Sequence, residues 1–152
     1  MKKVISLFRA GTLLSVSAMI AVVSIQVFAR FFLEASPPWT EEAARIFFIY
    51  TVAFGTGLGI NDNSFVRLEL IENFLSGRIF FLLDYLIDII TIIFAVFMFV
   101  GSLYFIKMGL DERSPALEIS MAFIFVSTSI IGLAIGFFTL KRLLKPKKKS
   151  EE

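Results

Sequence analysis

Apolar residues in this chain occur in four long runs that are separated by short polar stretches. The first run covers residues 10–29 and contains no charged residue. About twenty helical residues at roughly 1.5 Å each cross a hydrocarbon core of about 30 Å, and the runs lack the alternation of soluble strands. We therefore predict an all-α integral membrane protein with one membrane domain over residues 1–152. Its four transmembrane helices are expected at about residues 10–29, 41–60, 79–106 and 116–140.

Two of these spans need polar residues at their starts to reach full length. The apolar run over residues 46–60 is short for a span, but a helix capped by Thr40 would include Glu41 and Glu42 in its first turn. The positive end of a helix dipole favours carboxylates there. Similarly, Ser114 is predicted to cap the fourth helix, with Pro115 at its first position.

Between the second and third spans the pattern becomes that of a short amphipathic helix. In residues 63–76, apolar side chains fill one arc of a helical projection, while Glu69, Glu72 and Asn73 fill the other. We predict an interfacial helix that lies on the membrane surface.

The distribution of lysine and arginine predicts the orientation of the chain. If both termini lie inside, eleven basic residues are on the inner side and four on the outer side, several of the eleven in the basic tail of residues 141–152. We therefore expect both termini in the cytoplasm and the tail near anionic lipid. A cleaved signal peptide is the alternative for the first run, but that run is longer than an h-region of about 7–15 residues.

Composition narrows the possible chemistry. The chain is 57% hydrophobic with a mean hydropathy of +0.84, and it has no cysteine and no histidine. Thiolate nucleophiles, imidazole bases and the commonest zinc ligands are therefore absent. We expect no enzyme, no catalytic, cofactor or metal site, and no nucleic-acid partner.

Two groups of residues inside the spans carry alternative interpretations. Asp84 and Asp88 share a face of the third helix, where an ionised carboxylate costs about 2.5–3.5 kcal/mol at the membrane centre. We favour a buried polar pair near the inner interface, and the alternative is an autonomous four-helix channel or ion carrier that uses both carboxylates. Glycines four residues apart are predicted to open helix faces for close packing, against each other or against a partner. They are Gly55 and Gly59 in the second span and Gly132 and Gly136 in the fourth.

Two motifs resemble those of a known family. The stretch Trp39-Thr40-Glu41-Glu42-Ala43-Ala44-Arg45 and the stretch Ser114-Pro115-Ala116-Leu117-Glu118-Ile119 are similar to motifs in the small, four-span membrane subunit of tripartite ATP-independent periplasmic (TRAP) transporters. The resemblance covers nearly the whole chain.

The resemblance implies a function that composition does not show. It implies a bacterial inner-membrane scaffold that packs beside a large elevator-type subunit, which imports an organic acid such as a dicarboxylate, a keto acid or a sialic acid together with sodium. A periplasmic substrate-binding protein delivers that acid. Candidate partner contacts are Trp39, Glu41, Glu42 and Arg45, with helix capping and headgroup anchoring as the alternative for the charged residues.

Overall fold

The computed structural model describes residues 2–32, 37–61 and 77–144. It contains four helices: α1 (Lys2–Phe32), α2 (Pro38–Asn61), α3 (Gly77–Gly109) and α4 (Met121–Leu143). All four are long and apolar enough to cross a membrane, which confirms the predicted all-α class with four spans. The predicted interfacial helix at residues 63–76 and most of the basic tail lie outside the described residues.

Helix α2 starts earlier than expected, and the predicted cap at Thr40 is wrong. The helix begins at Pro38, because the fixed φ of proline suits the first position of a helix and its missing N–H is not needed there. Thr40 is fully buried in the first turn and donates its hydroxyl to the Pro37 carbonyl at 2.7 Å.

Helix α4 starts later than expected, at Met121 instead of residue 116, so the predicted cap at Ser114 is also wrong. Glu118 has a φ of 55°, and a residue in this left-handed region ends any helix that begins before it. The actual cap is Ser120, whose hydroxyl oxygen accepts from the Ala122 N–H at 3.3 Å. The same hydroxyl donates to the Gly109 carbonyl at 2.8 Å, which joins the end of α3 to the start of α4.

The helices pack side by side in the order α1, α2, α4, α3, so α1 and α3 lie at the two edges. Near the end that holds the chain termini, which we call the tail end, Phe8 of α1 packs edge-on against Phe54 and Phe138 at 5.8 and 5.6 Å. Toward the opposite end, the turn end, the Tyr50 hydroxyl of α2 donates to the Phe123 carbonyl of α4 at 2.7 Å. Aromatic contacts therefore join α2 to α1, and aromatic contacts together with the Tyr50 hydrogen bond join α2 to α4.

Small and polar residues line the contact between α3 and α4, which we call the α3–α4 seam. The buried residues of α3 recur every seven positions, and each lies opposite a residue of α4. Seven-residue spacing keeps one helix face on its partner, and small side chains allow close backbone approach. The facing pairs are Asp88 with Arg142, Ala95 with Gly136, Ser102 with Ser129, and Gly109 with Ala122.

The register of this seam leaves the first turns of α3 unmatched by α4. Asp88 pairs with Arg142 near the end of α4, so residues 77–87, which we call the α3 extension, continue past that end by roughly 16 Å at about 1.5 Å per residue. Large apolar side chains such as Leu82 and Leu86 are 70% and 50% exposed there.

We expect Gly132→Ala to destabilise the chain and Gly136→Ala to be neutral or stabilising. A Cβ at Gly132 would lie 3.0 Å from the Phe99 nitrogen and 3.1 Å from the Ala95 carbonyl oxygen, so the two backbones would have to separate. A Cβ at Gly136 would meet the Ala95 Cβ at an ordinary 3.6 Å. Overpacking costs about 1–3 kcal/mol, whereas Gly→Ala in a helix gains up to about 1 kcal/mol. Thermal unfolding of both variants in detergent checks the difference, and equal stability would contradict the tight contact.

Candidate functional site

The two motifs in residues 39–45 and 114–119 meet at the turn end. Glu42 on α2 accepts hydrogen bonds through its Oε2 atom from the backbone N–H groups of Ala116 and Leu117, both at 2.9 Å. Hydrogen bonds to an ionised acceptor are roughly twice as strong as those between neutral groups. Glu42 therefore fastens α2 to the connection between α3 and α4.

That connection is a closed turn with its own backbone hydrogen bonds. Ser114 donates its N–H to the Ile119 carbonyl at 2.8 Å, and Glu118 donates to the Ser114 carbonyl at 3.1 Å. The Arg113 guanidinium donates to the Glu118 carbonyl at 3.0 Å and adds an exposed side-chain hydrogen bond across the turn. Converging N–H groups beside a left-handed residue form a concave site for an anion, and the Glu42 carboxylate occupies it.

Ser114 is part of the same arrangement but not as a helix cap. It is 2% exposed and lies in the same turn as the two N–H groups that donate to Glu42. The carboxylate is thus held by two backbone amides. This contact was not foreseen, because nothing in a sequence indicates which distant N–H groups a helix-start glutamate will reach.

The other charged residues of the first motif point outward. Glu41 and Arg45 form the i,i+4 ion pair that their spacing allows, with Oε1 and Nη2 3.3 Å apart and side chains 72% and 67% exposed. Trp39 is 39% exposed beside them. These three side chains are free to meet a headgroup or another protein, whereas Glu42 is already engaged within the chain.

The four candidate glycines separate into two kinds. Gly132 is buried and Gly136 half-buried, and both lie against Ala95 in the α3–α4 seam, so the contacts that the structure gives them are within the chain. A Cβ on Gly55 would meet nothing within 4 Å, and Gly59, one turn further along α2, is partly exposed. The close-packed glycine of α2 is instead Gly57, where a Cβ would lie 2.7 Å from the Phe8 ring.

The two candidate aspartates differ in their surroundings. Asp88 is fully buried and forms an ion pair with Arg142 of α4, while Asp84 is half-buried one turn nearer the tail end. A second polar contact lies beside the pair, where the Lys141 Nζ donates to the Asn61 Oδ1 at 2.8 Å and joins α4 to α2. Within the described residues, no cluster of acidic side chains could hold a metal ion.

Several of these partners were missed from the sequence, notably Arg142 for Asp88 and Ser129 for Ser102. The hydroxyls of the two serines lie 2.6 Å apart in the α3–α4 seam. The available signal was the seven-residue spacing of Asp88, Ala95 and Ser102 in the third span. An average of hydropathy over a span does not detect that signal.

We expect Glu42→Ala to lower the thermal stability by several degrees and Glu41→Ala to leave it nearly unchanged. Removal of the Glu42 carboxylate leaves the Ala116 and Leu117 N–H groups without their acceptor, whereas Glu41 contributes one exposed ion pair of small value. Fluorescence-detected size exclusion after heating compares the two variants. Equal loss in both would show that the Glu42 contact does not hold the turn.

Comparisons with known proteins agree with this geometry. The chain matches the family described as tripartite ATP-independent periplasmic transporters, DctQ component, over residues 19–148, which include both motifs and all four helices in whole or in part. It is also 24% identical over 142 residues to a protein of Haemophilus influenzae named "Putative TRAP transporter small permease protein", covering 91% of this chain and 86% of that protein. The chain therefore belongs to the DctQ family of TRAP transporter small permease components, and it is a multi-pass membrane component of a transport system and not an enzyme.

Proposed function

We propose that this chain is the fixed scaffold subunit of a TRAP importer in the bacterial inner membrane. It packs beside the large membrane subunit, which moves an organic acid of the dicarboxylate, keto acid or sialic acid type inward with sodium. A periplasmic substrate-binding protein delivers the acid. The single observation that carries the proposal is that the half-buried Glu42 and the buried Asp88 are both engaged in contacts within the chain.

The distribution of exposed surface supports a scaffold that needs a partner in the membrane. Only 11% to 33% of the most apolar stretch of each helix is buried inside the chain. A row of helices has two broad faces, and both present apolar side chains. Lipid tails cover such faces readily, and so does a second membrane protein, since packing in the bilayer relies on shape and not on hydrophobicity.

The alternative of an autonomous channel receives less support. An ion path through Asp88 needs a carboxylate that an ion can reach, but this side chain is fully buried and its charge is balanced by Arg142. Ionisable side chains inside a membrane commonly pair with one another, as Asp88 does with Arg142, and a paired carboxylate is less available to a passing ion. We therefore assign sodium coupling to the large subunit.

The outward-facing residues of α2 are the proposed contact with the other components. Trp39, Glu41 and Arg45 are exposed at the turn end, and the same helix carries Gly55 with open space above it and Gly59 partly exposed. A polar, aromatic end suits a periplasmic protein, and a glycine-bearing stretch suits close approach of a transmembrane helix. Both contacts rest on the DctQ family assignment.

Co-expression with a large TRAP membrane subunit and a substrate-binding protein tests the proposal. We expect the two membrane subunits to copurify and to take up substrate in liposomes with the binding protein, while this chain alone gives no ion flux. Flux from this chain alone, or failure to copurify, would contradict the scaffold role.

The double variant Glu41→Ala/Arg45→Ala examines the contact at the turn end. Because both side chains are exposed, we expect it to fold normally but to reduce copurification or uptake. Gly136→Ala serves as the control, because this glycine lies in the α3–α4 seam and its substitution should leave uptake unchanged. Full uptake by the double variant would limit these two residues to membrane anchoring.

The absence of cysteine allows a direct test of the proposed orientation. With both termini in the cytoplasm, a cysteine at exposed Glu112 lies outside and one at exposed Leu144 lies inside. We expect a membrane-impermeant maleimide to label Glu112→Cys in intact cells and Leu144→Cys only after lysis. The reverse pattern would invert the topology.

A further inference from the structure

We propose that Asp88 and Arg142, together with Ser102 and Ser129, set the register in which α3 packs against α4. The inference concerns how this helix hairpin assembles, and it does not depend on the transport function proposed above. It rests on the order of side chains along the α3–α4 seam.

The layers of small residues do not by themselves determine the register of this seam. The three inner layers consist of small side chains, namely Ala95 with Gly136, Ser102 with Ser129, and Gly109 with Ala122. A slip of one helix by seven residues would again place small residues opposite small residues in such layers, for example Ala95 opposite Ser129. The same slip would bring Phe125 in place of Gly132 against Phe99, so packing opposes the slip at that contact, and the polar groups add to this opposition.

The polar groups distinguish the two arrangements strongly. In the slipped register Asp88 would face Gly136 and lose the Arg142 guanidinium, although the side chain is fully buried in the observed register. A buried carboxylate without its partner is strongly destabilising in a membrane. Ser102 would face Ala122, so the hydroxyl contact of 2.6 Å with Ser129 would also be lost.

The position of the ion pair suits this role. It closes the last layer of the seam at the tail end, beside the hydrogen bond of 2.8 Å between Lys141 and Asn61. The same register brings the ends of α2 and α4 level with each other and keeps the α3 extension beyond them. Buried polar layers select register in water-soluble coiled coils at a cost in stability, and the same physics applies here.

Disulfide cross-linking in the otherwise cysteine-free chain tests the inference. Ala95→Cys with Gly136→Cys reports the observed register, because a Cβ on Gly136 lies 3.6 Å from the Ala95 Cβ, within the range that a disulfide needs. Ala95→Cys with Ser129→Cys reports the slipped register, and because it also removes the Ser102–Ser129 contact, the Asp88–Arg142 pair alone must hold the observed register in this reporter. Each reporter is placed in the unchanged chain and in Asp88→Asn/Arg142→Gln, which has no buried charge and no ion pair.

We expect the unchanged chain to form only the first cross-link. The neutral double variant should lose part of that product and gain the slipped one, because its seam no longer contains a charge that must be matched. Glu41→Gln/Arg45→Gln removes an exposed ion pair and serves as the matched control, for which only the first product is expected.

Two outcomes would overturn the inference. If the monodisperse neutral double variant forms only the first cross-link, the small residues and the turn determine the register without the charges. If the double variant cannot be recovered as folded protein, while the exposed control can, the pair is needed for folding itself and does not merely select the register.

Discussion

The close approach of α3 and α4 along their seam of small residues is the contact on which the rest of the structure depends. It brings Gly109 against the start of α4 and so forms the turn that presents the Ala116 and Leu117 N–H groups. Without that turn, Glu42 would have no N–H groups from which to accept hydrogen bonds, and α2 would be held to α4 mainly by aromatic packing, the Tyr50 hydroxyl and the Lys141–Asn61 hydrogen bond. The row of four helices therefore builds outward from one hairpin.

Polar contacts then hold the hairpin and α2 together at both ends, where water and headgroups make polar residues tolerable. Glu42 does this at the turn end, and the side chains of Lys141 and Arg142 do it at the tail end. Between these ends, apart from two serines and a tyrosine hydroxyl, most contacts are apolar. Polar contacts at both ends of the helix row, with apolar contacts between them, hold the helices together while most of their surface faces the membrane.

The sequence predicted the spans well and the contacts between them poorly. Hydropathy identifies spans because the bilayer imposes one length on every helix, and α1 to α4 contain nearly all of the predicted runs. The starts of α2 and α4 were misplaced, since a Ser or Thr before an apolar run caps a helix only if the backbone permits it. Glu118 in its left-handed conformation prevents this for Ser114, and Pro38 begins α2 before Thr40.

The partners of buried charges were also beyond sequence reasoning. The sequence did not indicate a partner for Asp88, and the structure pairs it with Arg142, which is distant in the chain and adjacent only through the α3–α4 seam. Glu42 and the Ser114–Ile119 motif were each recognised separately, while their contact requires the packing of three helices. The sequence thus identified Glu42 and Asp88 as polar residues at unusual positions, but their partners depend on how the helices pack.

The length of the edge helices has a consequence for the membrane around this protein. The two edge helices, α1 with 31 residues and α3 with 33, are about 46 and 50 Å long, whereas the central helices α2 and α4 have 24 and 23 residues. A hydrocarbon core is about 30 Å thick, so the edge helices either lean away from the bilayer normal or continue beyond the core into the headgroup region. Both edges of the row thus reach further than its centre, so the fit of the folded protein to the thickness of the bilayer is decided at its edges.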